Sequence, residues 1–188
     1  MQTGFFYARK FLFPGQHFEY IRIMKYPPFD TFPILSSEKV ILRELAYTDT
    51  DQLLEIFTYD GKLAETPHEV IEMLDRIDEN YRIGEGINWG IVDRETNEIA
   101  GTCGYYRGFG NETGEIGFIM RPAFRRKGLM SEALKLAVAY GIEELQLKRV
   151  ISITKKSNEA ALILLYCNSF KFVKDHDSDY REFEYLKA

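Results

Sequence analysis

Apolar and polar side chains alternate in short stretches from about residue 36 onward, and this period of two predicts β-strands. The seven stretches are KVILREL (39–45), INWGIVD (87–93), EIAGTCGYYR (98–107), TGEIGFIM (113–120), KRVISITK (148–155), FKFVKD (170–175) and YREFEYL (180–186). Turn-forming residues from Asp93 to Asn97 join the second and third stretches, so these two are predicted to form a hairpin.

Four other stretches carry apolar residues at helical spacing, and they are 49–57, 67–83, 126–144 and SNEAALILLYCNS (157–169). Thr66 is a candidate N-cap of the second helix, Pro67 suits its first turn, and Gly84 closes it. One apolar stripe marks the third helix: Ala133, Leu134, Ala137, Val138, Gly141, Ile142 and Leu145. The resulting order, βααβββαβαββ, predicts an α/β domain with a mixed sheet.

Residues 1–35 lack this regularity and are rich in Phe, Tyr and Pro, as in KYPPFDTFPI (25–34). We therefore divide the chain into an N-terminal extension, 1–35, and a domain, 36–188. The extension fits a docking arm, a strand added to a partner or a poorly ordered leader, and the sequence leaves these three open. Translation from Met24 would give a shorter chain.

The bulk composition narrows the function classes. The chain has 188 residues, of which 45% are hydrophobic and 28% charged, as in a globular protein with one domain. Its net charge of −5 argues against a general nucleic-acid binder, because phosphate affinity requires a broad basic surface. Neither a membrane span nor a signal peptide is recognisable, so we expect a cytoplasmic protein that does not bind membranes.

The cysteines and histidines predict no metal site. Cys103 and Cys167 are far apart in sequence, so we expect two free thiols. The three histidines, His17, His68 and His176, are scattered along the chain. Trp89 is expected in the core.

A basic stretch before the third helix suggests an anion site. Arg125, Arg126, Lys127 and Gly128 stand where the helix N-terminus already carries partial positive charge. Free backbone N–H groups there suit a phosphate, and glycine permits close backbone approach. The alternative is an ordinary solvated basic turn.

The glycine-rich stretch GFGNETG (108–114) lacks the glycine spacing of a dinucleotide-binding loop and joins two strands, so we predict a hairpin loop there.

At this point the sequence resembles a known family. EIGFIMRPAFRRKGLMSEAL (115–134) resembles the acetyl-CoA-binding core of the GNAT N-acetyltransferases, whose signature is [RQ]-x-x-G-x-[GA]. Met130 departs from it, because Gly or Ala is usual there. FPILSSEKVILREL (32–45), NWGIVDRETNEIAGTCGYYR (88–107) and NEAALILLYCNSFKF (158–172) resemble the ribosomal-protein alanine N-acetyltransferase branch. The resemblance covers about residues 34–186.

The resemblance implies a mixed, mostly antiparallel sheet of six to seven strands with about four helices, and a V-shaped splay between the strands near 114–121 and 148–154. It implies acetyl-CoA as co-substrate, with pantetheine in the splay and pyrophosphate on the basic loop. The implied cofactor-binding residues are Phe118, Ile119, Met120, Arg125, Arg126, Lys127, Gly128, Leu129, Met130, Ser131 and Asn158.

The implied reaction is direct attack of an amine on the thioester, which requires loss of a proton from the ammonium. Glu115, among apolar neighbours, is the candidate base, although it equally fits a solvent-facing strand residue; Glu112 and Glu44 are weaker alternatives. A backbone N–H near Phe118 or Ile119 is expected to polarise the thioester carbonyl.

The usual general acid of the family has no counterpart here. Many members carry a tyrosine four residues before a Gly-Phe pair, whereas this chain has Leu165 there and Ser169 in place of the glycine. Ala161 also replaces a usual serine. Tyr166 lies about 100° around the helix, so we expect it to pack and not to act as the acid.

The acceptor is expected to be a primary amine, either a protein N-terminus or a small molecule. The early helices carry an acidic set that suits a cation or forms an ordinary solvated face: Asp49, Asp51, Glu55, Asp60, Glu65, Glu69 and Glu72. Two alternatives remain, a CoA-binding module without catalysis and an interaction protein that docks through its aromatic arm. A homodimer is compatible with the sequence.

Overall fold

The computed structural model, which describes residues 26–59 and 61–187, is organised by one eight-stranded mixed sheet. The strands are β1 (Leu35–Ser36), β2 (Val40–Glu44), β3 (Thr58–Tyr59), β4 (Lys62–Leu63), β5 (Ile87–Asp93), β6 (Ile99–Tyr106), β7 (Thr113–Met120), β8 (Arg149–Lys155), β9 (Phe170–Asp175) and β10 (Tyr180–Tyr185). The helices are α1 (Thr50–Leu53), α2 (Pro67–Arg82), α3 (Leu129–Glu143) and α4 (Glu159–Cys167).

The main sheet has the order β1-β2-β5-β6-β7-β8-β10-β9, and its only parallel pair among the described strands is β7 with β8. The predicted α/β fold with a mostly antiparallel sheet is confirmed. The predicted count of six to seven strands was too low, because β1 has only two residues and so shows no alternation. β3 and β4 form a separate small hairpin.

The helix predicted over 49–57 was wrong in its extent. A 3-10 turn at Tyr47–Asp49 leads into α1, which ends at Leu53. The chain then turns, and Thr58 pairs with Leu63 across a glycine turn at Gly61, whose φ is +78°. The short helix and this turn together bury Leu53, Ile56 and Phe57.

The caps of α2 agree with the prediction. The Thr66 side chain accepts a hydrogen bond from the Glu69 N–H, the Glu69 carboxylate accepts from Thr66 in return, and Pro67 occupies the first helical position. Gly84 has a φ of +81°, which explains glycine after the helix. Both ends are therefore fixed by local chemistry.

The helix predicted from 126 begins three residues later, at Leu129. Arg126 has a φ of +61° and Gly128 a φ of +80°, and left-handed backbone at these positions cannot continue a right-handed helix. The basic residues consequently lie on a loop before α3. The apolar stripe of α3 faces the core as predicted.

The splay predicted between the strands near 114–121 and 148–154 is present. β7 and β8 pair only at Thr113–Arg149, Gly114–Val150 and Glu115–Ile151. β7 continues to Met120 and β8 to Lys155 without pairing further with each other. The two strands therefore enclose an open gap whose closed end is at Glu115.

The core has two clusters, one on each face of the sheet. α3 packs over Trp89, Tyr105 and their neighbours, whereas α1 and α2 pack over Val92 and Ile99 on the opposite face. Trp89 is fully buried, as predicted, and its Nε1 donates a hydrogen bond of 2.9 Å to the Pro33 carbonyl.

Residues 26–35, the described part of the N-terminal extension, pack against the first cluster. Phe32 contacts Tyr81 and Trp89, and Tyr26 stacks on Phe109 with ring centroids 4.7 Å apart. The expectations for a docking arm within residues 1–25 and for a start at Met24 lie outside the described residues. The division at residue 35 stays a prediction.

One ion pair fixes the chain where it leaves the sheet for α1. Arg43 donates two hydrogen bonds of 2.8 Å to the two carboxylate oxygens of Asp49, which also accepts from the Ala46 N–H. Asp49 is buried, and burial alone would raise its pKa, but these hydrogen bonds outweigh burial and lower it. The fold therefore holds Asp49 as a carboxylate.

We expect Asp49→Asn to destabilise the fold by about 2 kcal/mol, or roughly 4–8 °C in Tm, because it removes a charge-assisted bidentate pair. Because the folded-state pKa of Asp49 is lowered, this stabilisation is present above the unfolded value of about 4 and is lost as the pH falls. Thermal melts between pH 7 and pH 3 test this, with the exposed Asp51→Asn as control. Equal effects of the two substitutions at pH 7 would contradict it.

Candidate active site

The loop between β7 and α3 presents unpaired backbone donors. Within the described residues, the N–H groups of 126–131 donate to no protein acceptor, and Gly128 occupies the N-cap of α3 with left-handed backbone. An ideal Cβ on Gly128 would meet only the Lys39 Nζ, 3.9 Å away. The donors therefore stand at an open helix N-terminus, a geometry that binds anions.

The positive charges of this loop are not neutralised. Arg125, Arg126 and Lys127 form no ion pair with any carboxylate in the described part of the chain. Lys127 instead lies 5.0 Å from the centre of the Phe124 ring, and Arg125 Nε donates to the Met120 carbonyl at 3.2 Å. These contacts orient the side chains and leave their charge available to a ligand.

Lys39 is a residue that the sequence did not indicate. It lies in the turn between β1 and β2, and the fold brings its ammonium beside Gly128. A fourth cation at the same loop strengthens the case for a polyanion. A lone lysine in a turn gives no sequence signal, because only the three-dimensional fold places it there.

Met130, the departure from the family signature, is buried with 8% of its surface exposed and belongs to the core cluster under α3. Leu129 is buried in the same cluster. The larger side chain is accommodated on the core side, so the loop keeps its backbone donors. The Ser131 hydroxyl accepts a hydrogen bond of 3.2 Å from Asn168, which joins the start of α3 to the end of α4.

Asn158 caps α4, since its Oδ1 accepts a hydrogen bond of 3.2 Å from the Ala161 N–H. Its side-chain oxygen is engaged in this cap. The additional cofactor role expected of Asn158 stays a prediction.

Phe118, Ile119 and Met120 line the gap between the splayed strands. On one side they pair with Cys103, Thr102 and Gly101 of β6. On the other side, towards β8, the described residues offer them no ladder partner. This free strand edge can hydrogen-bond an extended ligand. The cofactor role that the family resemblance implies for these three residues stays a prediction.

Glu115 lies at the closed end of the gap, paired with Ile151. Its side chain is 18% exposed and forms an ion pair with Arg107. Burial is the main reason why the pKa of Glu115 is raised, and the charge of Glu182 adds to it, whereas Arg107 and His176 oppose it. A half-buried carboxylate with a raised pKa is a better proton acceptor than a solvated one.

A histidine–carboxylate pair neighbours Glu115. His176 Nε2 lies 2.8 Å from Oε2 of the buried Glu182, and Arg149 and Lys174 also contact that carboxylate. His176 was not predicted to lie beside Glu115, because the histidines of the sequence were considered only as metal ligands. The signal was the turn HDSD, which folds His176 back so that its N–H donates to the Tyr180 carbonyl.

The weaker base candidates lie elsewhere. Glu112 forms an ion pair with Lys148, and Glu44 lies at the end of β2.

The position of the family's usual acid is occupied by Leu165, which is fully buried, whereas Tyr166 is 55% exposed and its ring contacts Phe183 edge to face. Tyr166 therefore packs on the surface of α4, and its exclusion as the acid stays a prediction.

The acidic set of the early helices is largely occupied. Asp49 pairs with Arg43, Glu55 with Arg121 and Glu69 with Lys62. Asp60 lies outside the described residues.

No group of three or more candidate metal ligands occurs in the part of the chain that the structure describes. In the same part, no helix is both long and apolar enough to cross a membrane.

Comparison with known proteins identifies relatives of this chain. The family described as "Acetyltransferase (GNAT) domain" matches residues 39–165. YoaA of Bacillus subtilis (strain 168), named an uncharacterized N-acetyltransferase, is 30% identical over 148 residues, which cover 74% of this chain and 84% of YoaA.

Many solved structures share the fold, and two of them serve as examples. RimL, a ribosomal L7/L12 alpha-N-protein acetyltransferase in complex with coenzyme A, matches with a TM-score of 0.72 at 15% identity, over 82% of this chain and 98% of its own. The ribosomal-protein-S5-alanine acetyltransferase of Vibrio fischeri matches with a TM-score of 0.65 at 16% identity, over 82% of this chain and 96% of its own.

We expect Gly128→Trp to weaken acetyl-CoA binding at least tenfold, because the indole would occupy the space in front of the loop donors. Gly61→Trp is the matched control, since Gly61 also has a positive φ and open space around it but lies in the β3–β4 hairpin. Calorimetry on both folded variants measures the affinity. An unchanged affinity of Gly128→Trp would contradict our placement of the phosphates.

Proposed function

Because the chain belongs to the GNAT acetyltransferase family, we propose that it transfers the acetyl group of acetyl-CoA to a primary amine by direct attack within a ternary complex. The observation that carries this proposal is the alignment of three features along β7. The anion loop lies beyond one end of the strand, the free strand edge follows, and Glu115 closes the gap.

The dimensions of this arrangement suit an extended ligand. Five residue steps separate Glu115 from Met120, which corresponds to about 17 Å of strand. A ligand with phosphates at the loop and its reactive group near Glu115 would run along the free edge of Phe118 and Ile119. Backbone hydrogen bonds there would hold it without requiring particular side chains, and so they suit pantetheine.

The loop residues fit the phosphates of the co-substrate. The N–H groups of 126–131 lack protein acceptors among the described residues, and Arg125, Arg126, Lys127 and Lys39 bring positive charge without carboxylate partners. A pyrophosphate would satisfy both sets at once. Its negative charge also explains why cations stand at a helix N-terminus, where they otherwise repel the dipole.

Bound acetyl-CoA supplies an activated acetyl thioester, and the chain's own residues prepare the amine. Glu115 Oε accepts the proton of the acceptor ammonium, directly or through water, which frees the nitrogen lone pair. A backbone N–H near Phe118 or Ile119 would bind the thioester oxygen and stabilise the charge that develops on it while the amine forms the new C–N bond. The C–S bond then breaks, and the departing CoA thiolate takes up, through solvent, the second proton lost by the nitrogen. Arg107 and His176 oppose the burial that raises the pKa of Glu115, and so they favour its carboxylate form.

The family and the resemblance to the ribosomal-protein alanine branch support a primary amine as the acceptor. Both solved structures named above are acetyltransferases of ribosomal proteins by their descriptions. A protein N-terminus is therefore one acceptor to test, beside small amines. Leu165 leaves the usual acid position without a titratable group.

The direct test is thiol release from acetyl-CoA across a panel of small amines and short peptides with free N-termini. We expect release with at least one acceptor, together with its acetylation on the amino nitrogen, detected by mass spectrometry. Binding of acetyl-CoA without release across the whole panel would favour the alternative, a CoA-binding module without catalysis. Failure to bind acetyl-CoA at all would exclude both functions.

We expect Glu115→Gln to lower kcat about 10²–10³-fold at pH 7 and only about tenfold at pH 9. The amine depends less on a general base at high pH, because a larger fraction of it is already deprotonated. Since the pKa of Glu115 is raised, the wild-type rate should begin its rise with pH above the ordinary carboxyl range. Steady-state kinetics from pH 5 to pH 10 measures both effects.

Glu112→Gln is the control for this experiment, because Glu112 is a nearby carboxylate with a surface ion pair to Lys148. We expect its pH–rate profile to match that of the wild type. If Glu112→Gln and Glu115→Gln lowered kcat equally at pH 7, Glu115 would not be the base.

A further inference from the structure

The side chain of Asn168 connects the end of α4 to the start of α3. Asn168 directly follows α4 and is only 8% exposed. Its Nδ2 donates two hydrogen bonds, one of 2.7 Å to the Leu164 carbonyl and one of 3.2 Å to Ser131 Oγ. Ser131 is the third residue of α3, next to the loop with unpaired donors. The cofactor-binding residues proposed for this chain include Ser131 but not Asn168.

The two hydrogen bonds determine which end of the Asn168 amide faces Ser131. A backbone carbonyl oxygen can only accept, so the group that faces Leu164 is the NH₂ group. Leu164 lies in the last turn of α4, where carbonyl groups lack helical partners and require a donor. The same nitrogen contacts Ser131, and Ser131 Oγ is therefore an acceptor in that bond.

The hydrogen of the Ser131 hydroxyl remains available to another partner. A serine hydroxyl accepts through its lone pairs and donates one hydrogen, so accepting from Asn168 turns that hydrogen away from Asn168. Within the described residues the hydroxyl donates to no acceptor, and Ser131 is only half-buried. Helical side chains tilt towards the N-terminus of their helix, which here is the loop before α3. An unengaged O–H donor therefore lies beside the unpaired N–H groups.

The backbone around Asn168 holds its amide in place. The Asn168 N–H donates to the Leu165 carbonyl at 3.1 Å, and the Ser169 carbonyl accepts from the Leu186 N–H at 2.9 Å. Leu165 and Phe170, on either side, are almost completely buried. Asn168 is thus anchored to α4 and to the last strand. The direction of the Ser131 hydroxyl is consequently set before any ligand binds.

A fixed hydroxyl direction matters for a phosphate ligand. Phosphate oxygens that carry negative charge only accept hydrogen bonds, so a hydroxyl that turned its lone pairs towards them would repel them. An O–H group that donates to a charged oxygen forms a bond about twice as strong as one between neutral groups. A hydroxyl that is already oriented also loses less freedom on binding.

We propose that Asn168 is a positioning residue of the cofactor site: it keeps Ser131 Oγ as an acceptor, so that the Ser131 hydroxyl donates to a CoA phosphate. This inference rests on the proposed binding of acetyl-CoA. The other role open to Asn168 is that of a cap of α4 alone, through Leu164. Only the positioning role requires the Ser131 hydroxyl, and this difference decides between the two.

The test is a double-mutant cycle measured by calorimetry with CoA on the wild type, Ser131→Ala, Asn168→Leu and the double variant. We expect each single substitution to weaken CoA binding about tenfold, the effect of one hydrogen bond to a charged group. The double variant should bind within about twofold of Ser131→Ala, because no hydroxyl is left to orient. Multiplication of the two single effects, or wild-type affinity of either single variant, would overturn the proposal.

Asn168→Asp provides a second route if Asn168→Leu does not fold. Aspartate keeps the shape but cannot donate when ionised, so its carboxylate would accept from Ser131 and turn the lone pairs of Oγ towards the phosphates. We expect CoA binding at pH 7 to be weakened more than about tenfold, by the lost hydrogen bond and the added negative charge. Wild-type affinity of Asn168→Asp would overturn the proposal.

Thr66→Ala is the matched control for a loss of stability. It removes a helix cap from α2, which packs on the opposite face of the sheet from α3. We expect it to lower Tm, as the Asn168 substitutions do, and to leave the affinity for CoA within about twofold of the wild type. An equal loss of CoA affinity in Thr66→Ala and Asn168→Leu would show general destabilisation and contradict positioning.

The same variants separate this proposal from the proposed acetyl transfer. Where an amine of the panel releases thiol, Asn168→Leu should raise the KM for acetyl-CoA about tenfold and change kcat less than about twofold, because the phosphate contact is equal in ground and transition states. Coupling in the CoA cycle without any thiol release would support positioning in a protein that only binds CoA. Thiol release without coupling would leave acetyl transfer intact and overturn the role of Asn168.

Discussion

The end of hydrogen bonding between β7 and β8 is the constraint on which the rest of the site depends. Parallel pairing holds these strands together for three residue pairs, up to Glu115 and Ile151, and then stops. Everything that the proposed reaction needs follows from this break. It exposes an edge of β7 in the middle of the sheet and places the Glu115 carboxylate at the closed end of the gap between β7 and β8. The open end of this gap lies towards the loop before α3.

The loop before α3 differs in its charges from much of the described chain. The described chain pairs many of its surface charges locally, as Asp78 and Arg82 do on α2. Arg125, Arg126 and Lys127 differ, because none of them forms an ion pair with a described carboxylate, and Lys39 lies beside them. A chain with a net charge of −5 can therefore carry a local cationic loop that suits a polyanion.

The sequence predicted most of the fold because local rules and tertiary packing agree there. Thr66, Pro67 and Gly84 fixed both ends of α2 by capping chemistry alone, and alternation located the seven longer strands. The prediction failed where left-handed backbone at Arg126 delayed α3. For the site, the motif around Gly128 indicated the loop, but Lys39 carries no sequence signal, since only the fold brings it beside Gly128. The roles assigned to Glu115 and the loop residues stay predictions.

Phe32 belongs to the segment before the first long strand, yet it contacts Tyr81 of α2 and Trp89 of β5. The segment therefore helps to hold α2 against the core. Substitutions at Phe32 can shift α2 without altering the loop before α3. In evolutionary terms, this segment is a place where related chains can change the surface beside α2 and keep the same gap between β7 and β8.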